Sequence, residues 1–278
     1  MDAVPADLEI SIRFAGSQLT QAAGILLRLP QDIIAQAIVL FTRFWVGPDG
    51  GSLRQWNVKD VSAASIYLVA KLSAYPQSPR NIVNVYAYLR SPSSALVRPA
   101  RDGGAISPRT LATTYYVSEG TYHAQRQILM NTEAHILRVL GFQTHVALPY
   151  ALAINYLQAL DVFRGPSGKV ELSRRSFAHL TSALLSPQQL YLTHQPPALA
   201  TAAIYLAARE VGAKLPAGAW WEVFDVDREE LGFLVVAMRS MADFGLAERA
   251  KWGTRMVPLT VDDLDAEIQD RRDLDGEE

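Results

Sequence analysis

The residues able to do chemistry are few and poorly spaced for most of it. The five histidines, His123, His135, His145, His179 and His194, form no H-E-x-x-H pair, the spacing that sets two imidazoles on one helix face around a zinc ion. No G-x-S-x-G elbow and no Walker A run occurs. The absence of cysteine removes thiolate nucleophiles, disulfides and thiolate-ligated metal centres, and a reducing compartment is the simplest setting. No catalytic residue, cofactor or metal is expected. What stands out is a lysine in an odd place: residues 63–71, AASIYLVAK, are nearly all apolar until Lys71. A lysine fits there if a buried helix surfaces at that end, its stem covering apolar surface while the ammonium reaches water. That is the chemistry of binding rather than of reaction. Ser-Pro dipeptides start at Ser78, Ser91, Ser107 and Ser186. Ser91 and Ser107 bracket an Arg-containing loop and are candidate sites for a proline-directed kinase, whereas Ser78 suits a helix cap.

The elements that must carry these residues are helical nearly throughout. QDIIAQAIVLFTRFWV, residues 31–46, aligns Ile34, Ile38, Phe41 and Trp45 in one stripe. GPDGGSLRQWN interrupts, and a helix begins near Val58. Ser78-Pro79 opens another through RNIVNVYAYL, and the region 91–116 is a long loop rich in Pro, Ser, Gly and Arg. A long helix is predicted from about Ser118 to Leu140, stopped by Gly141. Further helices are predicted at Leu148–Val162, Ser173–Leu185, Pro197–Val211 and Arg228–Phe244, with a short one around Trp220 and Trp221.

The apolar run has a twin. TAAIYLAAR, residues 201–209, matches it at Ala64 and Ala202, Ile66 and Ile204, Tyr67 and Tyr205, Leu68 and Leu206, and Ala70 and Ala208, with Lys71 opposite Arg209. Each copy falls third among the helices of its half. This is the pattern of a duplicated helical domain, each half built on an Ala-rich central helix that lets its neighbours approach closely.

Of the 278 residues, 49% are hydrophobic and 19% charged, ample for two ordinary cores and unlike a disordered chain. The start shows no secretory pattern, and no stretch approaches the ~20 apolar residues that span a bilayer, so neither secretion nor a membrane is expected. Net charge is -2, but unevenly placed. The last 21 residues hold nine acidic and two basic side chains against 19 acidic and 24 basic in the rest. A solvated, frayed tail is the simpler expectation; contact with its own body or a basic partner is the other. The basic surplus of the body is too small and too scattered to favour direct nucleic-acid binding.

Two central helices, each ringed by about four others, is the layout of the cyclin fold, and the segments support it. DVSAASIYLVAKLSAYPQSPRNIVNVYAYL resembles the third and fourth helices of a cyclin box. NTEAHILRVLGFQTHVALPYALAINYLQAL resembles the fifth helix and the start of a second box, and LPAGAWWEVFDVDREELGFLVVAMRSM the end of that box in transcription-type cyclins. The resemblance, covering roughly residues 18–246, is to the cyclin L, K, T and Q group, with cyclin Q the expected closest match because its relatives lack long Arg-Ser tails. It implies an all-α, duplicated cyclin-box fold: an N-terminal extension 1–17, a first box 18–145, a second box 146–246 and an acidic tail 247–278. It further implies a non-catalytic, nuclear regulatory subunit, with the cytoplasm also open, that forms a heterodimer with a cyclin-dependent kinase acting on RNA polymerase II or RNA processing. No small-molecule substrate is expected.

The family pairs a lysine at the end of the third helix with a glutamate in the fifth to grip the kinase αC helix, and Lys71 and Glu133 stand at those positions. Leu68, Leu72, Leu137 and Phe142 are the implied apolar contacts around them. Acidic residues that often follow the lysine are replaced here by Ser73 and Ala74. The alternative is a cyclin-fold general transcription factor, or a scaffold without a kinase; such factors add a zinc ribbon and a basic surface, which the lack of cysteine and the low charge do not supply.

Overall fold

The computed structural model describes residues 4–47, 50–91, 94, 114–161, 169–253 and 255–275. Among them there is no strand, and the helices follow the sequence in the order α1 (Ala6–Leu26), α2 (Gln31–Val46), α3 (Val58–Leu72), α4 (Pro79–Arg90), α5 (Glu119–Val139), α6 (Tyr150–Ala159), α7 (Lys169–Ala183), the short α8 (Leu190–Thr193), α9 (Pro196–Val211), a 3-10 turn (Trp220–Phe224), α10 (Arg228–Trp252) and α11 (Val261–Asp275). The chain folds as two units, residues 1–145 with 252–278, and residues 146–251.

In the first unit α3 is the axis, touched by α1, α2, α4 and α5. Small residues make this possible: Ser62, Ala64, Ser65 and Ala70 are fully buried along its length. Gly16 and Gly24 do the same for α1, since a Cβ at Gly16 would overlap Phe41 and Val58, and one at Gly24 would overlap Ile34. A polar chain crosses this core. The Thr20 hydroxyl donates to Gly16 O at 2.7 Å, so it accepts from Ser62 Oγ at 2.7 Å. Ser62 in turn accepts from the Tyr86 hydroxyl at 2.6 Å, which ties α4 through α3 to α1. Burial pushes the Tyr86 hydroxyl far above the ordinary tyrosine value, so it remains a donor.

In the second unit α9 takes the central place, touched by α6, α7, α8 and the 3-10 turn. The twin positions of the two axial helices have equivalent environments: Ala64 and Ala202, and Ile66 and Ile204, are all fully buried. Lys71 lies 5.4 Å from the centre of the Tyr67 ring and Arg209 lies 6.0 Å from that of Tyr205, so each helix emerges with a cation over a tyrosine one turn back.

Ser78 caps α4 by accepting from Asn81 N at 3.1 Å, with Pro79 in the first turn, and Ser118 caps α5 by accepting from Thr121 N at 3.2 Å. Three segments differ from the expectations. Residues 6–17 are not an extension but the first half of α1, with Leu8 and Ile12 buried in the first unit. The helix expected to end at Phe244 continues to Trp252, because a mid-helix glycine at 245 costs only about 1 kcal/mol and the good helix formers of LAERAKW follow it. Residues 255–275 of the tail are not frayed. Thr260 Oγ1 accepts from Asp263 N at 3.2 Å, Asp262 and Asp263 favour the positive end of α11, and Leu259, Leu264 and Ile268 are buried in the first unit. Most of the loop 91–116 lies outside the described residues.

Candidate functional site

Lys71 is the last basic residue of α3, placed there by a helix whose other faces are buried. The helix stops at Ser73, whose backbone is extended and whose hydroxyl donates to Ala70 O at 2.9 Å and accepts from Tyr75 N at 3.0 Å. Ser73, where the family that the sequence resembles often has an acidic residue, therefore serves as a local cap. On α5 the buried residues are Leu129, Thr132, Glu133 and Ile136, a single stripe at spacings of three, one and three. Glu133 is thus a carboxylate on an apolar face, and it requires a partner.

Lys71 supplies it. Its Nζ donates to Glu133 Oε1 at 2.6 Å, with the lysine side chain 50% exposed and the glutamate side chain 7% exposed. The hydrogen bond to Glu133 raises the Lys71 pKa above its ordinary value, burial opposes this, and the charges of Glu133 and Tyr67 add to the rise. The pair is therefore half in water: the anion is sequestered and the cation keeps two N–H groups for other acceptors.

The apolar residues implied for the site divide into two kinds. Leu72 and Phe142 are 61% and 71% exposed, which for large hydrophobic side chains is surface available to a partner. Leu68 is 2% exposed and Leu137 is half-buried, so Leu68 supports the surface from beneath instead of contributing to it. Gly141 and Phe142 both adopt left-handed backbone at the end of α5, where Phe142 N donates to Leu137 O at 2.8 Å and Gly141 N to Arg138 O at 3.0 Å. This is a Schellman close, with glycine at the usual position and an aromatic residue strained at the next.

The following segment is held down by α2. Gln36 Nε2 donates to Thr144 O at 2.9 Å and Arg43 Nη1 donates to Gln143 O at 3.0 Å. Gln36, Arg43 and the exposed Tyr75 were not singled out from the sequence, and Tyr67 was marked only as the twin of Tyr205. The spacing of Tyr67 and Lys71 by four was the legible signal for one of them.

Ser91 is buried and its hydroxyl donates to Tyr88 O at 2.7 Å, so as folded it is not presented to a modifying enzyme. Ser107 lies outside the described residues. Among the described residues no cluster of three or more His, Asp or Glu could hold a metal, and no helix is long and apolar enough to cross a membrane.

No family model matches the chain. Individual relatives do. The chain is 32% identical over 226 residues to Cyclin-L2 of Homo sapiens, covering 81% of itself and 39% of that protein, and 32% identical to Cyclin-L1 of Gallus gallus, covering 81% and 38%. It spans well under half the length of those two relatives. An uncharacterized cyclin-L1-like protein of Schizosaccharomyces pombe is 32% identical over 222 residues, covering 79% of this chain and 78% of that one. Among solved structures, a chain of the CAK complex of Chaetomium thermophilum bound to ATP-gamma-S has the same fold, with TM-score 0.57 and 16% identity over 89% of this chain and 68% of the other. A chain of the yeast RNA Pol II CTD kinase CTDK-1 complex does too, with TM-score 0.59 and 11% identity over 93% and 75%.

The expected closeness to cyclin Q is corrected by these relatives, which are of the cyclin L type. Tail length and charge misled, because they describe the terminal segment alone, whereas the similarity runs over 226 residues of the chain. With an all-α duplicated fold, and a cyclin-L1-like protein matched over most of its own length, the chain belongs to the cyclin family, within the cyclin L group.

Proposed function

We propose that the chain is the regulatory, non-catalytic subunit of a cyclin-dependent kinase of the transcription type, and that the first unit holds the kinase αC helix in its active position. The observation that carries this reading is the Lys71–Glu133 pair at 2.6 Å, with an exposed leucine next to its cation. Kinase catalysis requires the αC glutamate to pair with the β3 lysine that positions ATP. A rigid surface that binds only the inward arrangement of αC shifts the population toward it. Moving a kinase from ~1% to ~99% active needs about 5.5 kcal/mol of differential binding. Lys71 has donors left for backbone carbonyls of a docked helix, while Leu72 and Phe142 offer apolar area to be dried. Truncating one member of a hydrogen-bonded charge pair within such an interface costs about 2 to 5 kcal/mol.

The relatives and fold neighbours support the partner class: the two solved complexes bear the names of a CAK complex and an RNA Pol II CTD kinase. A kinase directed at RNA polymerase II in the nucleus is the corresponding setting for this chain. The test is to purify the tagged full chain from its own cells, identify the bound kinase and compare wild type with Lys71→Glu. The variant should melt below wild type, because it leaves the nearly buried Glu133 facing a like charge, yet stay folded, and should lose kinase activation by at least about thirtyfold. Normal activation by a folded K71E chain would refute the reading.

A further inference from the structure

Ser78, Ser91 and Ser186 are the Ser-Pro serines among the described residues, and the fold treats them differently. Ser91 is buried and its proton is committed to Tyr88 O at 2.7 Å. Ser186 is buried too, and its hydroxyl donates to Gln188 Oε1 at 2.5 Å. Ser78 is exposed. Its hydroxyl accepts from Asn81 N at 3.1 Å as the cap of α4, a bond that uses a lone pair and leaves the hydroxyl proton free to be taken.

The sequence itself arranges this presentation. Residues 73–78, SAYPQS, join the end of α3 to the start of α4 without regular structure. A proline disfavours helical backbone in the residue before it, and Ser78 accordingly lies at φ -73° and ψ 148°. Tyr75 and Pro76 are exposed as well, so an open, extended segment leads up to the hydroxyl with a proline directly after it. A kinase cleft takes its peptide in that form, and its catalytic aspartate accepts the hydroxyl proton. The product also suits the place. The first turn of α4 has no acidic residue, so a phosphate there meets the positive end of the helix and can accept the Asn81 N–H that the hydroxyl accepts now. Arg80, paired with Glu119 at 2.8 Å, is two residues away and offers the phosphate a cation in competition with that acid.

We propose that Ser78 is a phosphorylation site, modified on the folded chain by a proline-directed serine kinase. The γ-phosphoryl group of ATP passes to Ser78 Oγ: the new Oγ–P bond forms as the bond to the departing ADP oxygen breaks, and the hydroxyl proton goes to the kinase's aspartate. The test gives a purified proline-directed kinase and ATP to the folded full chain, and separately to synthetic peptides of residues 72–84, 85–97 and 180–192, which report each serine's rate without the fold. Phosphate on each serine is followed by mass spectrometry. Ser78 in the folded chain should react within about tenfold of its peptide, whereas Ser91 and Ser186 should lag theirs by at least about a hundredfold, because each must wait for local opening. Ser78 lagging its peptide as far as those two lag theirs overturns the proposal, and so does a 72–84 peptide that takes no phosphate. The chain carrying phosphate on Ser78 should melt no lower than the unmodified chain; a lower melting temperature would overturn the fit of the phosphate at the start of α4.

Discussion

At the scale of single residues, exposure separates two roles within one apolar set. Leu68 at 2% exposure belongs to the core, so Leu68→Ala should cost about 2 to 5 kcal/mol of stability in denaturant unfolding, with binding changed only as a consequence. Phe142 is the converse. A bulky residue held at a φ of 60° and left 71% exposed is kept against its backbone preference without packing in return within the chain. Phe142→Gly should leave thermal stability equal or higher, since glycine adopts that conformation without steric cost, while kinase affinity falls about tenfold. A parallel fall in stability and affinity would show that the ring serves the fold instead.

At the scale of elements, α1, α3 and α4 are locked by the hydroxyl chain of Thr20, Ser62 and Tyr86. Ser62 is its centre, donating to one neighbour and accepting from the other. Ser62→Ala strands the Tyr86 hydroxyl in a dry core, while Thr20 keeps its bond to Gly16 O, and should destabilise by about 1 to 3 kcal/mol in urea titration, whereas Tyr86→Phe removes only the terminal donor and should cost less. The double substitution should lose less than the sum of the two, because each removes the same bond. The pair at the end of α3 and the stripe on α5 obey the same accounting of buried polar groups: Glu133 is tolerated there because α3 ends with its cation in reach.

At the scale of the whole molecule, His135 on the acid side, and Lys71 with the buried Tyr86 and Tyr191 on the alkaline side, bound the pH range of stability. His135 stacks on Trp56 at 4.3 Å and is held below its ordinary 6.5 by burial first and by Arg138 second. The unfolded chain takes that proton more readily, so its contribution is complete above pH 6.5 and declines as pH falls below it. Lys71 is shifted upward from 10.5, so its contribution is complete below that value and declines as pH rises past it. Stability from denaturant titration should therefore be level between about pH 7 and pH 10, and His135→Gln should remove the decline between pH 6.5 and 5. That limb is separate from acid unfolding driven by carboxylates such as Glu119, which Arg80 holds below 4.5.

Periodicity alone was enough for the helical class, the twin axial helices and the emergent Lys71, because a buried helix must be apolar all round and a charge can stand only where it ends. The caps at Ser78 and Gly141 were legible for the same local reason. Three matters lay beyond it. Nothing in NTEAHIL says that Glu133 faces inward, since a carboxylate on a helix is solvated by default until another element covers it. Whether Leu68 or Leu72 meets a partner depends on one turn of rotation against neighbours distant in sequence. The acidic tail looked like a solvated end because its charges outnumber its apolar residues, and only the tertiary fold brought Arg54, Arg90 and the start of α3 together to receive it.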